Sequence, residues 1–82
     1  MDPVTEILQW SLMCYGLASD IANEGKVKET QTSEFHEYMR RAASQAKEAS
    51  SCRCVGIALD SFFHARLAYE MAGGTFDEKR SI

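Results

Sequence analysis

Apolar residues along this chain recur at helical spacing in three blocks separated by short polar stretches, and none of the blocks alternates in the two-residue rhythm of a strand. The most apolar block runs from Cys54 to Ala72. Wound at about 100° per residue, it places Cys54, Ile57, Ala58, Phe62, Ala65, Ala68, Tyr69 and Ala72 on one broad side, with Val55 and Leu59 at its margin. Phe63, Leu67 and Met71 fall outside that side. The Ala, Leu and Met content favours helix as well, and the apolar surface is too wide for a single neighbouring helix to cover.

The first block begins at a helix-start signal: Asp2 can cap, Pro3 suits a first turn where its missing N–H costs nothing, and Glu6 complements the helix dipole. Val4, Ile7, Leu8, Trp10, Leu12, Cys14, Tyr15, Leu17, Ala18, Ile21 and Ala22 fill more than half of its circumference, and Gly25 supplies a stop. Residues 26–32 lack an apolar period and read as a connector. Thr32 or Ser33 is then the expected cap of a second helix, whose stripe of Phe35, Met39, Ala42, Ala43, Ala46 and Ala49 is mostly alanine and suits close packing.

Between Ala49 and Val55 there is neither Gly nor Pro, yet an unbroken helix would rotate the apolar side by more than a right angle. A turn within Ser50 to Arg53, with a serine as the next cap, is therefore expected. The expected architecture is all-α: an antiparallel bundle of three helices near 3–24, 33–50 and 53–72. The alternative is a helical hairpin whose second helix is long and kinked. One domain is expected over 1–74, followed by a mobile polar tail over 75–82 in which Phe76 can fold back.

Composition narrows the function classes. At 82 residues, 45 % hydrophobic and 26 % charged, the chain is a small globular domain rather than a disordered one. Domains of this size bury only roughly 60–70 % of their surface, so self-association or a partner would complete the core. A net charge of −3 argues against binding nucleic acid through phosphates, and Arg40, Arg41, Lys47 and Arg53, the basic residues such a surface would use, are interleaved with Glu37 and Glu48. The start of the chain lacks the features of a signal peptide and no apolar run is long enough for a membrane span, so a cytoplasmic protein with reduced thiols is expected.

Cysteines and histidines offer the remaining candidate chemistry. Cys52, Cys54 and His64 would make a metal- or thiol-dependent site, with Asp60 one turn before His64, but two cysteines one residue apart diverge within a helix and suit neither a bridge nor a structural zinc site. Cys14 lies in the apolar arc and reads as a small buried side chain. No glycine-rich phosphate loop or nucleophile signature is present, so no catalytic residue and no cofactor is assigned. Phe62 to Glu78 loosely resembles part of a tetratricopeptide repeat in its Ala68-Tyr69 pair, glycine turn and aromatic-Asp-Glu sequence. It departs from that pattern by an extra turn residue and by Lys79 where a small residue belongs, and membership is not inferred.

The aromatic and large apolar residues outnumber what a three-helix core needs, and such residues are the common anchors of protein interfaces. The expected function is a protein-binding module, an adaptor, co-chaperone or inhibitor that occupies a partner's surface, with homodimerisation as an accompanying expectation. The expected contacts are Trp10, Phe63, Leu67 and Met71.

Overall fold

A computed structural model describes residues 2–76, which form three α-helices packed against one another and no strand. These are α1 (Pro3–Asn23), α2 (Thr32–Cys52) and α3 (Val55–Met71). The chain runs up, down and up again, so that α3 lies beside both earlier helices over its length, while α1 and α2 meet only sparsely. The block that is most apolar in sequence is thus the middle element in space.

Local chemistry explains most of the boundaries. Asp2 caps α1 by accepting from the Val4 N–H at 3.1 Å, with Pro3 in the first turn. Gly25 ends that helix with φ +73, a left-handed conformation that costs glycine little. At the far end of α3, Gly73 takes φ +102 and the Gly74 N–H returns to the Tyr69 carbonyl at 2.9 Å. A Cβ on Gly74 would collide with the Tyr69 ring, so that turn closes directly over an aromatic.

Two expected caps are not used. A single 3₁₀ turn (Glu29–Gln31) leads straight into α2, and the Thr32 hydroxyl donates back to the Lys28 carbonyl at 3.1 Å instead of capping. The preceding turn already carries the backbone into helical geometry, so α2 starts without a side-chain cap. The α2–α3 turn exists, as the rotated apolar sides require, but the serines remain inside α2. The break falls at Arg53, which is left-handed at φ 57 and ψ 37 with its N–H on the Ala49 carbonyl at 2.8 Å, and Cys54 stands at the start of α3.

Arg53 also ties this corner to the first helix. Its guanidinium pairs with the Asp2 carboxylate and donates to the Thr5 hydroxyl at 2.7 Å. The hydrogen bond from Arg53, reinforced by the Val4 N–H, holds the Asp2 carboxyl below its ordinary value of 3.8. A carboxyl lowered in the folded state contributes stability that is present above its unfolded value and lost as the pH falls through the folded one. Asp2→Asn keeps a good cap but removes the ion pair. The difference in urea midpoint between wild type and this variant should therefore be largest near neutral pH and vanish in acid; a difference independent of pH would show that the pair contributes nothing.

Two clusters form the interior. Cys14, Ala18, Phe35, Met39, Ala42, Ala65, Ala68, Tyr69, Ala72 and Phe76 make the larger, and Val4, Ala49 and Ala58 make a smaller one near the Arg53 corner. Alanine is the commonest residue in both, which lets α3 pack close against its two neighbours. Phe76 does fold back: it is buried against Trp10 and Phe62, with ring centroids 5.3 and 5.2 Å away, and the Arg66 guanidinium lies 5.1 Å from its ring. The rest of the expected mobile tail, 77–82, lies outside the described residues.

At the crossing of all three helices sit two buried serines. Ser61 of α3 donates to the Ala42 carbonyl of α2 at 2.8 Å, and Ser11 of α1 lies 2.7 Å from the Ser61 oxygen. With the Ser61 proton committed to the carbonyl, Ser11 must be the donor to Ser61. Among the described residues no buried side-chain nitrogen or oxygen lacks a partner.

Candidate protein-docking face

The outer side of α3 carries the largest exposed apolar residues of that helix. Val55, Leu59 and Phe63 retain 45, 49 and 57 % of their accessible surface, and they follow one another at a spacing of four residues. Leu67 and Met71 continue the same row, both half-buried. Residues four apart on a helix form an inclined ridge, because four residues overshoot one turn by about 40°. The row therefore drifts across the helix. Phe62 meets Trp10 of α1 edge-on at 5.9 Å, while His64 meets Gln45 and Tyr38 of α2, which fixes the two shoulders of α3. By the same periodicity Val55 and Leu59 stand toward α1, Phe63 faces outward, and Leu67 and Met71 stand toward α2.

Beside the α1 shoulder lies an apolar groove of about 160 Å³ lined by Glu6, Ile7, Trp10, Leu59 and Phe62. Leu59 belongs both to this groove and to the ridge. Trp10 is half-buried, roofed by Phe62 and Phe76, and contributes a wall rather than a protruding anchor. Met71 packs against the larger cluster. Of the four expected contact residues, Phe63 and Leu67 therefore share the ridge, Met71 anchors its inner end, and Trp10 sits across the groove. Periodicity alone places Val55 and Leu59 at the margin of the core side. The structure exposes them because the side buried between α1 and α2 is narrow, filled by Ala58, Ser61, Ala65 and Ala68.

A second open groove, of about 210 Å³, lies between α1 and α2, where Ser11, Leu12, Tyr15, Ala43 and Ala46 line it. It stays open because those two helices meet so little. Leu12 is its rim and is 65 % exposed.

The ionisable residues are mostly spoken for. His64 Nδ1 lies 2.7 Å from the Gln45 side-chain oxygen, which makes it the donor, and its ring stacks on Tyr38 at 5.9 Å. This is a satisfied histidine between α2 and α3, some ten residues along α3 from the cysteines, or about 15 Å of helical rise. Cys52, Cys54 and His64 are therefore not assembled into one site. Among the described residues no group of three or more His, Cys, Asp and Glu side chains is placed to hold a metal. Glu37 bonds Arg41 at 2.9 Å and also pairs with Arg40, so with Arg53 on Asp2, three of the four basic residues considered for a phosphate surface face a carboxylate. Tyr38 donates to Glu34 at 3.2 Å, which raises its hydroxyl above the usual range. Cys14 is fully enclosed, and burial pushes its thiol up to about 11.

The thiol expectation needs correction. Cys52 and Cys54 are joined as a disulfide, with their Cα atoms 5.3 Å apart. The objection to such a bridge holds within a helix. Here the left-handed Arg53 interposes a turn, which brings both side chains to one side of the corner.

Among the described residues no helix is long and apolar enough to cross a membrane. Compared with known proteins, the chain matches no family model, no curated protein and no solved structure. The class that fold and surface define is an all-α three-helix bundle with an apolar ridge on its central helix.

Proposed function

We propose that the protein is a cytoplasmic binding module, an adaptor, co-chaperone or inhibitor, that acts by laying the outer ridge of α3 against a helix of another protein. One observation carries this reading: Val55, Leu59 and Phe63 remain about half exposed in a continuous four-residue row, and none of them belongs to the buried clusters of the interior. Rows of this kind are the elements that interdigitate when two helices cross, and helix-in-groove recognition reads such spaced anchors. Burying a large apolar side chain fully is favourable by about 1.5–3 kcal/mol, so covering the exposed halves of these three would contribute roughly 2–4 kcal/mol before the costs of association. Leu67 extends the row, and Trp10 offers the partner a wall across the adjoining groove.

The test is the double variant Leu59→Asp/Phe63→Asp. Because both side chains are about half exposed and neither belongs to the buried clusters, thermal stability should shift by about 1 kcal/mol or less. Capture of partners from a lysate, or of a second copy in sedimentation, should be abolished. A wild-type chain that is a monodisperse monomer, together with a double variant that captures the same proteins, would sink the assignment.

A further inference from the structure

The disulfide at the α2–α3 corner has no evident part in holding the fold. It closes over one intervening residue, and the entropic benefit of a cross-link is smallest for the shortest loops. The corner is already fixed by the Arg53 N–H on the Ala49 carbonyl and by the Arg53 side chain on Asp2 and Thr5. The bond is also open to water: Cys52 is exposed and Cys54 half-buried. A fixed, accessible bond that the fold does not require is available for chemistry.

We infer that Cys52 and Cys54 form a thiol–disulfide exchange site whose co-reactant is an external dithiol. The two sulfurs are not equivalent. Cys52 ends α2, where the carbonyl end of the helix disfavours negative charge, whereas Cys54 stands at the start of α3, whose first-turn N–H groups receive no side-chain cap. Nothing lies within 4 Å of where a Gly56 side chain would begin, so the approach to that first turn is clear. Exchange therefore has a direction. A thiolate of the dithiol attacks the exposed Cys52 sulfur, the Cys52–Cys54 bond breaks, and its electron pair leaves on Cys54 as a thiolate. The dithiol's second thiol, deprotonated in turn, attacks its own sulfur in the mixed disulfide and releases Cys52, which takes a proton. The protein disulfide is reduced to two thiols, and the dithiol is oxidised to a disulfide. The buried Cys14 takes no part.

Val55 follows Cys54 directly, so a chain docked on the α3 ridge would end beside the disulfide. The exchange itself does not depend on that docking, and it is tested with small thiols. The purified chain is equilibrated in graded mixtures of reduced and oxidised glutathione, quenched in acid, tagged with an alkylating reagent and weighed. Cys52 and Cys54 should pass together between closed and open forms within that series while circular dichroism stays unchanged. In single variants, Cys54 of Cys52→Ser should react with iodoacetamide at neutral pH about tenfold faster than Cys52 of Cys54→Ser, and Cys54→Ser should trap glutathione on Cys52. A pair that never closes in oxidised glutathione, or that never opens in reduced glutathione, would overturn the site. Equal alkylation rates, or a faster Cys52, would overturn the direction. Should a single variant fail to fold, the wild-type titration still decides whether the site exists.

Discussion

Phe35→Ala should lower the unfolding free energy by about 3–5 kcal/mol, the usual cost of truncating a fully enclosed phenylalanine. Phe35 is the largest side chain that the bundle encloses almost completely, at 1 % exposure, and it belongs to the cluster of Cys14, Ala18, Met39, Tyr69 and Ala72. Six of the nine other buried residues of that cluster are alanines or a cysteine, short side chains with no further atoms to swing into the space. A domain of this length typically has roughly 4–12 kcal/mol in total, so the variant should stand near the edge of folding at room temperature. Urea denaturation followed by circular dichroism would measure it. A loss under about 1 kcal/mol would mean that the interior relaxes around the hole and that Phe35 is not its centre.

Ser61→Val should also be severe, by about 2–6 kcal/mol, for a different reason. The extra methyl has no room where three helices meet, and overpacking of this kind costs about 1–3 kcal/mol. The Ser11 hydroxyl is also left buried without its acceptor, at about 1–3 kcal/mol more. Ser61→Ala separates the two contributions, since it leaves Ser11 unpaired without adding bulk. The double variant Ser11→Ala/Ser61→Ala removes both hydroxyls together and should be less damaging than the two single variants summed. Additive losses in that cycle would show that the two serines do not act as a pair, whatever their 2.7 Å separation implies.

These serines also mark what the sequence could have disclosed. On the helical wheel Ser11 falls among Val4, Cys14 and Ala18, and Ser61 among Ala58, Ala65 and Ala68, so their burial was there to be read from position. Residue type concealed it. A serine on an apolar stripe reads as an interruption until a partner from another helix is known. Phe76 carries the same lesson: the glycine turn allowed it to return, but only the packed rings of Trp10 and Phe62 give it somewhere to go.

For the docking face, Phe63 was legible because it lies far from the apolar side of α3. Val55 and Leu59 were not, since their wheel positions adjoin that side and periodicity does not say how wide the buried strip will be. The width depends on how closely the neighbouring helices approach. Helices that meet through alanines come near and cover a narrow strip, which leaves the margins in water.

The sequence by itself determined the all-α class, the start of the first helix at Asp2 and its end at Gly25, and the strain of carrying one helix through a point where two apolar sides point apart, while a hairpin with one long kinked helix stayed open beside the three-helix bundle. Those are local properties, set by capping, glycine conformation and the 3.6-residue period. Tertiary structure alone decided that the break falls at Arg53, that Cys52 and Cys54 thereby meet, and that Val55 and Leu59 join Phe63 on an open ridge. Each of these depends on which residues come together across helices, and that is fixed by packing at a distance along the chain, where periodicity carries no information.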